Sequence, residues 1–349
     1  MKAAVYHGPN KVEIADVPEP TPGPGTVKLK VGFNGICGTD LHEYYAGPIF
    51  VPTEPHPLTH RQMPLVMGHE FAGVITDVGD GVTGWNEGDR VAVEPIYKCG
   101  HCAPCRAGTY NICQQIGFHG LMSDGGMAEY TVVPTTMLHK LPANVSLQLG
   151  ALVEPMSVAY HAATLGDAKA GDTAVVFGAG PIGIGLWFAL RGKGINDVFV
   201  VEPSATRRAA IEALGAGTLD PTDVDVPAFI ADHTDRRGAD AVFDAAGVAP
   251  AVETALGCVG HRRPMVSVAI YERPLITPLL NLVMNESRIQ GSLCYTADDF
   301  EAVIALMARD AYDTSGWVTS IALDDVIEEG FEALHGGTKM KVLVDPAAA

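Results

Sequence analysis

The chain has 349 residues, 23 of them Lys or Arg and 41 Asp or Glu, for a formal charge of −18. So acidic a surface excludes nucleic acid and anionic membranes as partners, because both demand a basic face. Hydrophobic residues make up 47 % and charged residues 18 %, which predicts buried cores, and a domain size on the order of 100–200 residues predicts two of them.

Taken in chain order, residues 1 to about 150 are rich in Gly, Pro and short alternating runs. Pro18, Pro20, Pro22 and Pro24 mark a loop, and Val27-Lys28-Leu29-Lys30-Val31 then alternates with period two, as a strand with one wet face does. Asp80-Gly81 and Glu87-Gly88-Asp89 mark tight turns. This half predicts a β-rich, barrel-like domain with long loops. From about 155 to 290 the texture becomes apolar strand, glycine turn and helix, repeated. Thr173–Phe177, Asp197–Glu202, Ala241–Asp244 and Met265–Ala269 read as parallel strands buried on both faces, with Ala-rich helices such as Ala205–Leu214 between them. Alternating β and α elements predict a doubly wound parallel sheet, so the fold class is α/β with a second, β-rich domain. An amphipathic helix, Ala297–Met307, and a last strand, Lys341–Val344, complete the pattern.

No apolar run of signal-peptide length precedes the first Gly-Pro, and the richest apolar stretch, Ala174–Leu190, is broken by Gly178, Gly180, Pro181 and Gly183. A cytoplasmic protein with no membrane span is therefore expected. Four of the seven cysteines crowd into Cys99–Cys113. In that setting the crowding reads as a metal site before it reads as a disulfide framework.

Gly178-Ala179-Gly180-Pro181-Ile182-Gly183 fits G-x-G-x-x-G, a weak pattern alone. Here it follows a buried strand and opens a helix, Ile184–Arg191, so its backbone can approach a pyrophosphate at the helix N-terminus. Glu202 ends the next strand, 19 residues after Gly183, where an acid bonds a ribose 2′-hydroxyl. That acid points to NAD over NADP, with Arg207 and Arg208 just downstream as the counter-indication.

Cys99-x2-Cys102-x2-Cys105-x7-Cys113 supplies four thiolates from one loop, which suits tetrahedral zinc with no open position. An iron–sulfur cluster competes, but no second cluster motif is present. A second, scattered set comprises Cys37, His69 with Glu70, and Glu154. One Cys, one His and one carboxylate would leave a fourth zinc position open for substrate. Taken singly, each has an ordinary reading as a buried thiol, a satisfied core histidine or a surface acid beside a proline.

The segments Gly35-Ile36-Cys37-Gly38-Thr39-Asp40-Leu41-His42, Met67-Gly68-His69-Glu70-Phe71-Ala72-Gly73, the four-cysteine loop and the glycine motif resemble the zinc-containing medium-chain dehydrogenase/reductase family over essentially the whole chain. Gly47–Leu58, Gly117–Leu121, Leu152–His161 and Gln290–Tyr295 resemble its polyol and butanediol branch in particular. The resemblance implies catalytic zinc on Cys37, His69 and Glu154, with Glu70 as an outer or exchanging ligand, and a structural zinc on the four cysteines. It implies Thr39 and His42 as a relay for the alcohol proton, and NAD on Gly178, Gly180, Pro181, Ile182, Gly183, Glu202 and Arg207. Residues 1–155 and 290–349 would form the catalytic domain and 156–289 the dinucleotide domain. The implied reaction moves hydride between NAD and a secondary alcohol, with 2,3-butanediol and acetoin as the expected diol and hydroxy ketone, in a homodimer or homotetramer. Ile49, Phe50, Val51, Phe118 and Leu121 would give the pocket apolar walls, whereas His56, Glu54 and His119 could serve a longer polyol of the sorbitol or xylitol kind. A non-catalytic cofactor sensor would instead lack a zinc ligand or relay residue, and none is missing.

Overall fold

The computed structural model describes residues 1–271, 273–275 and 279–348. Its contacts divide the chain into one unit made of Met1–Glu154, Thr296–Arg309 and the segment from Val318 onward, and a second made of Pro155–Tyr295 and Asp310–Trp317. The sequence reading puts the return crossing at 290. In the structure Arg288–Gly291 adds a sixth strand to the parallel sheet, so the crossing falls after Tyr295.

The first unit is organised around the long strand Thr26–Gly35. Val27, Leu29 and Val31 point into the core while Lys28 and Lys30 face outward, the period-two pattern realised. It pairs antiparallel with Glu70–Val78, with Tyr130–Pro134 and, at its far end, with Lys341–Asp345. Two register shifts, between Lys28 and Leu29 and between Val31 and Phe33, bend the pairing with Glu70–Val78. The last strand is thus carried back across the whole sequence to lie beside Gly35 and Ile36. Immediately after Thr26–Gly35, Cys37 caps the helix Gly38–Ala46, and Asp40 Oδ2 accepts the Cys37 backbone N–H at 2.9 Å. Leu147–Leu165 is a helix that the sequence reading passed over, with Pro155 inside it.

One polar cluster ties this unit together away from the metal ligands. His139, on the strand Leu138–Lys140, bonds Glu94 Oε2 at 3.0 Å and Glu301 Oε1 of the helix Ala297–Met307 at 2.6 Å. Tyr110, in the four-cysteine loop, donates to Glu94 Oε1 at 2.7 Å and accepts the Ala297 backbone N–H at 2.5 Å. Burial alone would push the His139 pKa down, but the bonds to Glu94 and Glu301 together outweigh it and raise the pKa above 6.5. A raised folded-state pKa gives stability that is complete below the unfolded value of 6.5 and is lost as pH rises through the folded value. Urea unfolding should therefore show wild type losing stability toward alkaline pH relative to His139→Gln, and a gap of about 2 kcal/mol at pH 6. Parallel pH profiles for the two proteins would refute the assignment.

The second unit is a six-stranded parallel sheet in the order Gly217–Leu219, Asp197–Val201, Thr173–Phe177, Ala241–Asp244, Pro264–Ser267 and Arg288–Gly291. The order reverses beside Thr173–Phe177, the switch point at which such sheets bind ligands. Ala174, Val175 and Val176 are fully buried, as the unbroken apolar run requires. The helix Pro181–Gly192 lies on the sheet, and a side chain at Gly185 would collide with Ala159 and Met156. Asp310–Trp317 packs here, with the Tyr312 ring tilted against Phe188, ring centroids 4.8 Å apart. Among the described residues no helix is long and apolar enough to cross a membrane.

Candidate active site and nucleotide site

The four-cysteine loop is local, and the structure closes it into a compact donor set. The ligand atoms of Cys99, Cys102, Cys105 and Cys113 all lie within 4.8 Å of one another, with Cys99 Sγ–Cys105 Sγ and Cys102 Sγ–Cys113 Sγ both 3.9 Å. A disulfide would need about 2.05 Å. Tetrahedral zinc with Zn–S near 2.3 Å gives edges of about 3.8 Å, so the spacing fits the metal. Backbone N–H groups of Cys99, Cys102 and Gln115 point at sulfur, which favours thiolates. Donors from Gln114 and Cys105 hold the Cys102 thiol down at about 6. Among the described residues no cysteine is in a disulfide.

The scattered set also comes together. Donor atoms of Cys37, His69 and Glu70 lie within 4.8 Å of one another, brought there by the end of Thr26–Gly35, the start of Glu70–Val78 and the first turn of Gly38–Ala46. Thr39 Oγ1 is 3.7 Å from Cys37 Sγ. Glu154 is buried and close enough for its charge to raise the pKa of Lys341, but it stands outside that group of three. His42 lies half-buried on the same helix as Thr39.

Two further residues belong to this site and were not singled out by sequence. Asp40, fully buried, places Oδ1 3.5 Å from His69 Nδ1, facing the ring. Lys341, also buried, donates to Glu70 Oε2 and to the Ile36 carbonyl at 2.9 Å. Burial pushes both His69 and Lys341 down, yet each ends raised. The charges of Asp40 and Cys37 do this for His69, and those of Glu70, Cys37 and Glu154 for Lys341. Asp40 thus faces His69 while Glu70 and Glu154 gather around the Lys341 ammonium, and the sulfur, imidazole and carboxylate donors suit zinc. A lysine opening an apolar strand whose first four residues are all buried was the one available sequence signal for Lys341.

In the second unit the glycine motif forms the turn from Thr173–Phe177 into Pro181–Gly192. Gly178 has φ +98°, and a side chain at Gly183 would sit 1.8 Å from the Gly178 carbonyl. A Cβ at Gly180 would meet nothing within 4 Å, so that face is clear for a phosphate above the first-turn amides of Pro181–Gly192. A cavity of about 560 Å³ opens there, lined by Gly178, Gly180, Glu202, Arg207 and Thr222 among others. Glu202 is fixed by the Ala179 N–H at 2.8 Å and the Ser204 N–H at 2.9 Å. Arg208 turns away to the carbonyls of Glu202 and Pro203 and to Asp220, leaving Arg207 as the exposed cation at the cavity. Pro181 and Ile182 occupy the first turn of the helix.

Not every expected pocket residue faces the metal donors. Val51 and Leu121 are buried in the core with Ile36, whereas Ile49 and Phe50 stay 53 % and 41 % exposed and Phe118 is partly buried. His56 is engaged by the Ile116 carbonyl and the Leu58 N–H, and Glu54 is on the surface. His119 bonds Tyr97, Ser123 and Thr131 on a separate cavity and is pushed down to about 3 by burial, so it stays neutral.

Residues 23–143 match the Alcohol dehydrogenase GroES-like domain family and residues 181–309 the Zinc-binding dehydrogenase family. The chain belongs to the zinc-binding medium-chain dehydrogenases and is an oxidoreductase. It is 43 % identical over 352 residues to the (R,R)-butanediol dehydrogenase of Bacillus subtilis (strain 168), covering 99 % of this chain and 100 % of that one. It is 35 % identical over 347 residues to the 2-dehydro-3-deoxy-L-galactonate 5-dehydrogenase of Pseudoalteromonas atlantica, covering 99 % and 98 %. The crystal structure of 2R,3R-butanediol dehydrogenase from Bacillus subtilis superposes with a TM-score of 0.93 at 42 % identity, covering 99 % of both chains.

Proposed function

We propose that the protein oxidises a small vicinal diol, 2,3-butanediol, to its hydroxy ketone, acetoin, with NAD as hydride acceptor. The observation that carries the reading is the convergence of Cys37, His69 and Glu70 beside Thr39. Cys37 and His69 would hold a catalytic zinc with a carboxylate from Glu154, Glu70 exchanging in, and the four cysteines would hold a structural one. When bound, the catalytic metal supplies Lewis acidity to the substrate oxygen and the nicotinamide takes the hydride. Asp40 keeps His69 oriented, and Thr39 accepts the hydroxyl proton and releases its own, by way of the cofactor's ribose, to His42, one turn further along the helix. Apolar Ile49 and Phe50 suit methyl ends, while the engagement of His56 and His119 elsewhere leaves a long polyol short of partners. Glu202 at the cavity disfavours a 2′-phosphate. Four cysteines gathered at metal spacing suit a reducing, cytoplasmic setting.

Initial rates with 2,3-butanediol stereoisomers, acetoin, sorbitol, xylitol and simple alcohols, each with NAD and NADP, test this. A butanediol isomer with NAD should give the highest kcat/KM. A higher value for sorbitol or xylitol than for every isomer overturns the diol, a preference for NADP overturns the cofactor, and no turnover at all favours a sensor.

We also infer self-association through the second unit. Leu279, Leu280, Val283 and Met284 on the helix Leu279–Asn285 are 65–74 % exposed beside the wholly exposed edge strand Arg288–Gly291. Light scattering should give a dimer or tetramer mass, reduced to one chain by Leu280→Asp with Val283→Asp. A monomeric wild type refutes it.

A further inference from the structure

Glu43 is fully buried on the helix Gly38–Ala46, yet its carboxylate is turned onto backbone rather than onto a core group. It accepts the consecutive N–H groups of Ile49 at 3.0 Å, of Phe50, and of Val51 at 3.2 Å. Three successive amides converging on one anion form a nest, here filled by the protein's own side chain. The clamp is tightly built. Tyr6 donates to the Glu43 carbonyl at 2.9 Å, Gly47 N–H donates to the same carbonyl at 3.0 Å, and a Cβ at Gly47 would lie 2.4 Å from that carbonyl and 2.6 Å from Glu43 Oε2.

Position gives the clamp its consequence. Glu43 is four residues after Thr39, so both occupy one face of the helix that Cys37 caps. The loop is therefore docked on the side of the helix that carries the proposed proton acceptor, whose oxygen is 3.7 Å from Cys37 Sγ. With the amides of residues 49–51 bound, Val51 drops into the core beside Ile36, and Ile49 and Phe50 are held outward. An exposed Ile-Phe pair costs solvation unless it meets an apolar group, and a rigid backbone removes the entropy of ordering it on contact.

We propose that Glu43 is a positioning residue for substrate recognition: its carboxylate pre-forms the Ile49–Phe50 edge against which the aliphatic end of the alcohol packs. This rests on the diol reading above. Glu43→Gln keeps the volume but sets an NH2 group against an amide N–H, loosening the loop without opening a cavity.

The experiment is a double-mutant cycle between Glu43→Gln and Ile49→Ala with Phe50→Ala, read as kcat and KM for 2,3-butanediol, with zinc content and melting temperature measured alongside. Glu43→Gln should raise KM about tenfold, the effect of a binding edge no longer pre-ordered, with kcat changed less than about threefold. In the Ile49→Ala, Phe50→Ala background the same substitution should change KM less than about twofold, because the edge it positions is gone. Additive effects, or a loss carried by kcat and zinc content instead of KM, overturn the proposal. If Glu43→Gln fails to fold, Glu43→Asp, which retains the charge but shortens the reach, takes its place in the cycle with the same criteria. Should wild type prefer sorbitol, the diol reading falls, and the cycle run on sorbitol still decides the clamp.

Discussion

His69→Ala is expected to lower kcat/KM about a thousandfold or more, equivalent to roughly 4 kcal/mol of lost charge stabilisation in the transition state. The imidazole is the one nitrogen donor in a group otherwise made of sulfur and carboxylate oxygen, and Asp40 Oδ1 lies 3.5 Å from its Nδ1. The four-cysteine loop lies in a different stretch of chain and keeps its own sulfur-directed N–H bonds, so it should hold its metal. Metal analysis should therefore read two zinc ions per chain in wild type and one in the variant, with far-ultraviolet circular dichroism retained. Mild chelation of wild type should reproduce the result, abolishing activity before the fold melts, because an open site exchanges faster than a closed one. Full activity in the variant, or two zinc ions still bound, would show that the catalytic centre lies elsewhere.

Lys341→Met should cost about 3–5 kcal/mol of stability by urea unfolding at pH 7, the penalty for stripping one partner from a buried ion pair. The Lys341 ammonium faces Glu70 directly and sits in the field of Cys37 and Glu154, so removing it leaves several negative groups uncompensated. Adding Glu70→Gln to Lys341→Met should recover most of the loss, since the pair is then replaced and no longer broken. If the double variant is as unstable as the sum of the single ones, Lys341 acts by packing and not by charge.

The legible parts of this molecule were the local ones. Thr173–Phe177 and Ala241–Asp244 announce themselves by unbroken apolar runs and Ala297–Met307 by its helical period, and the sulfurs of Cys99–Cys113 lie close enough in sequence to imply their own geometry. Short or exposed strands carry no such pattern, which is why Gly217–Leu219 and Arg288–Gly291 were missed. Leu147–Leu165 was hidden by Pro155, a residue that ordinarily ends a helix. The active site was legible only through family resemblance, because Cys37, His69 and Lys341 come from segments that only the sheet pairing brings together. Asp40 and Lys341 escaped notice altogether, since a capping acid and a strand lysine are individually ordinary.

The return of Lys341–Asp345 to the strand Thr26–Gly35 also imposes an order on synthesis. A ribosome finishes Pro155–Tyr295 and Asp310–Trp317 first, so the parallel sheet can collapse while the catalytic half still lacks the strand that pairs with Asn34 and Gly35. During that interval Glu70 lacks the ammonium that later faces it. The parallel sheet and its glycine turn are thus complete in the chain before the strand that brings Lys341 to Glu70 has been made.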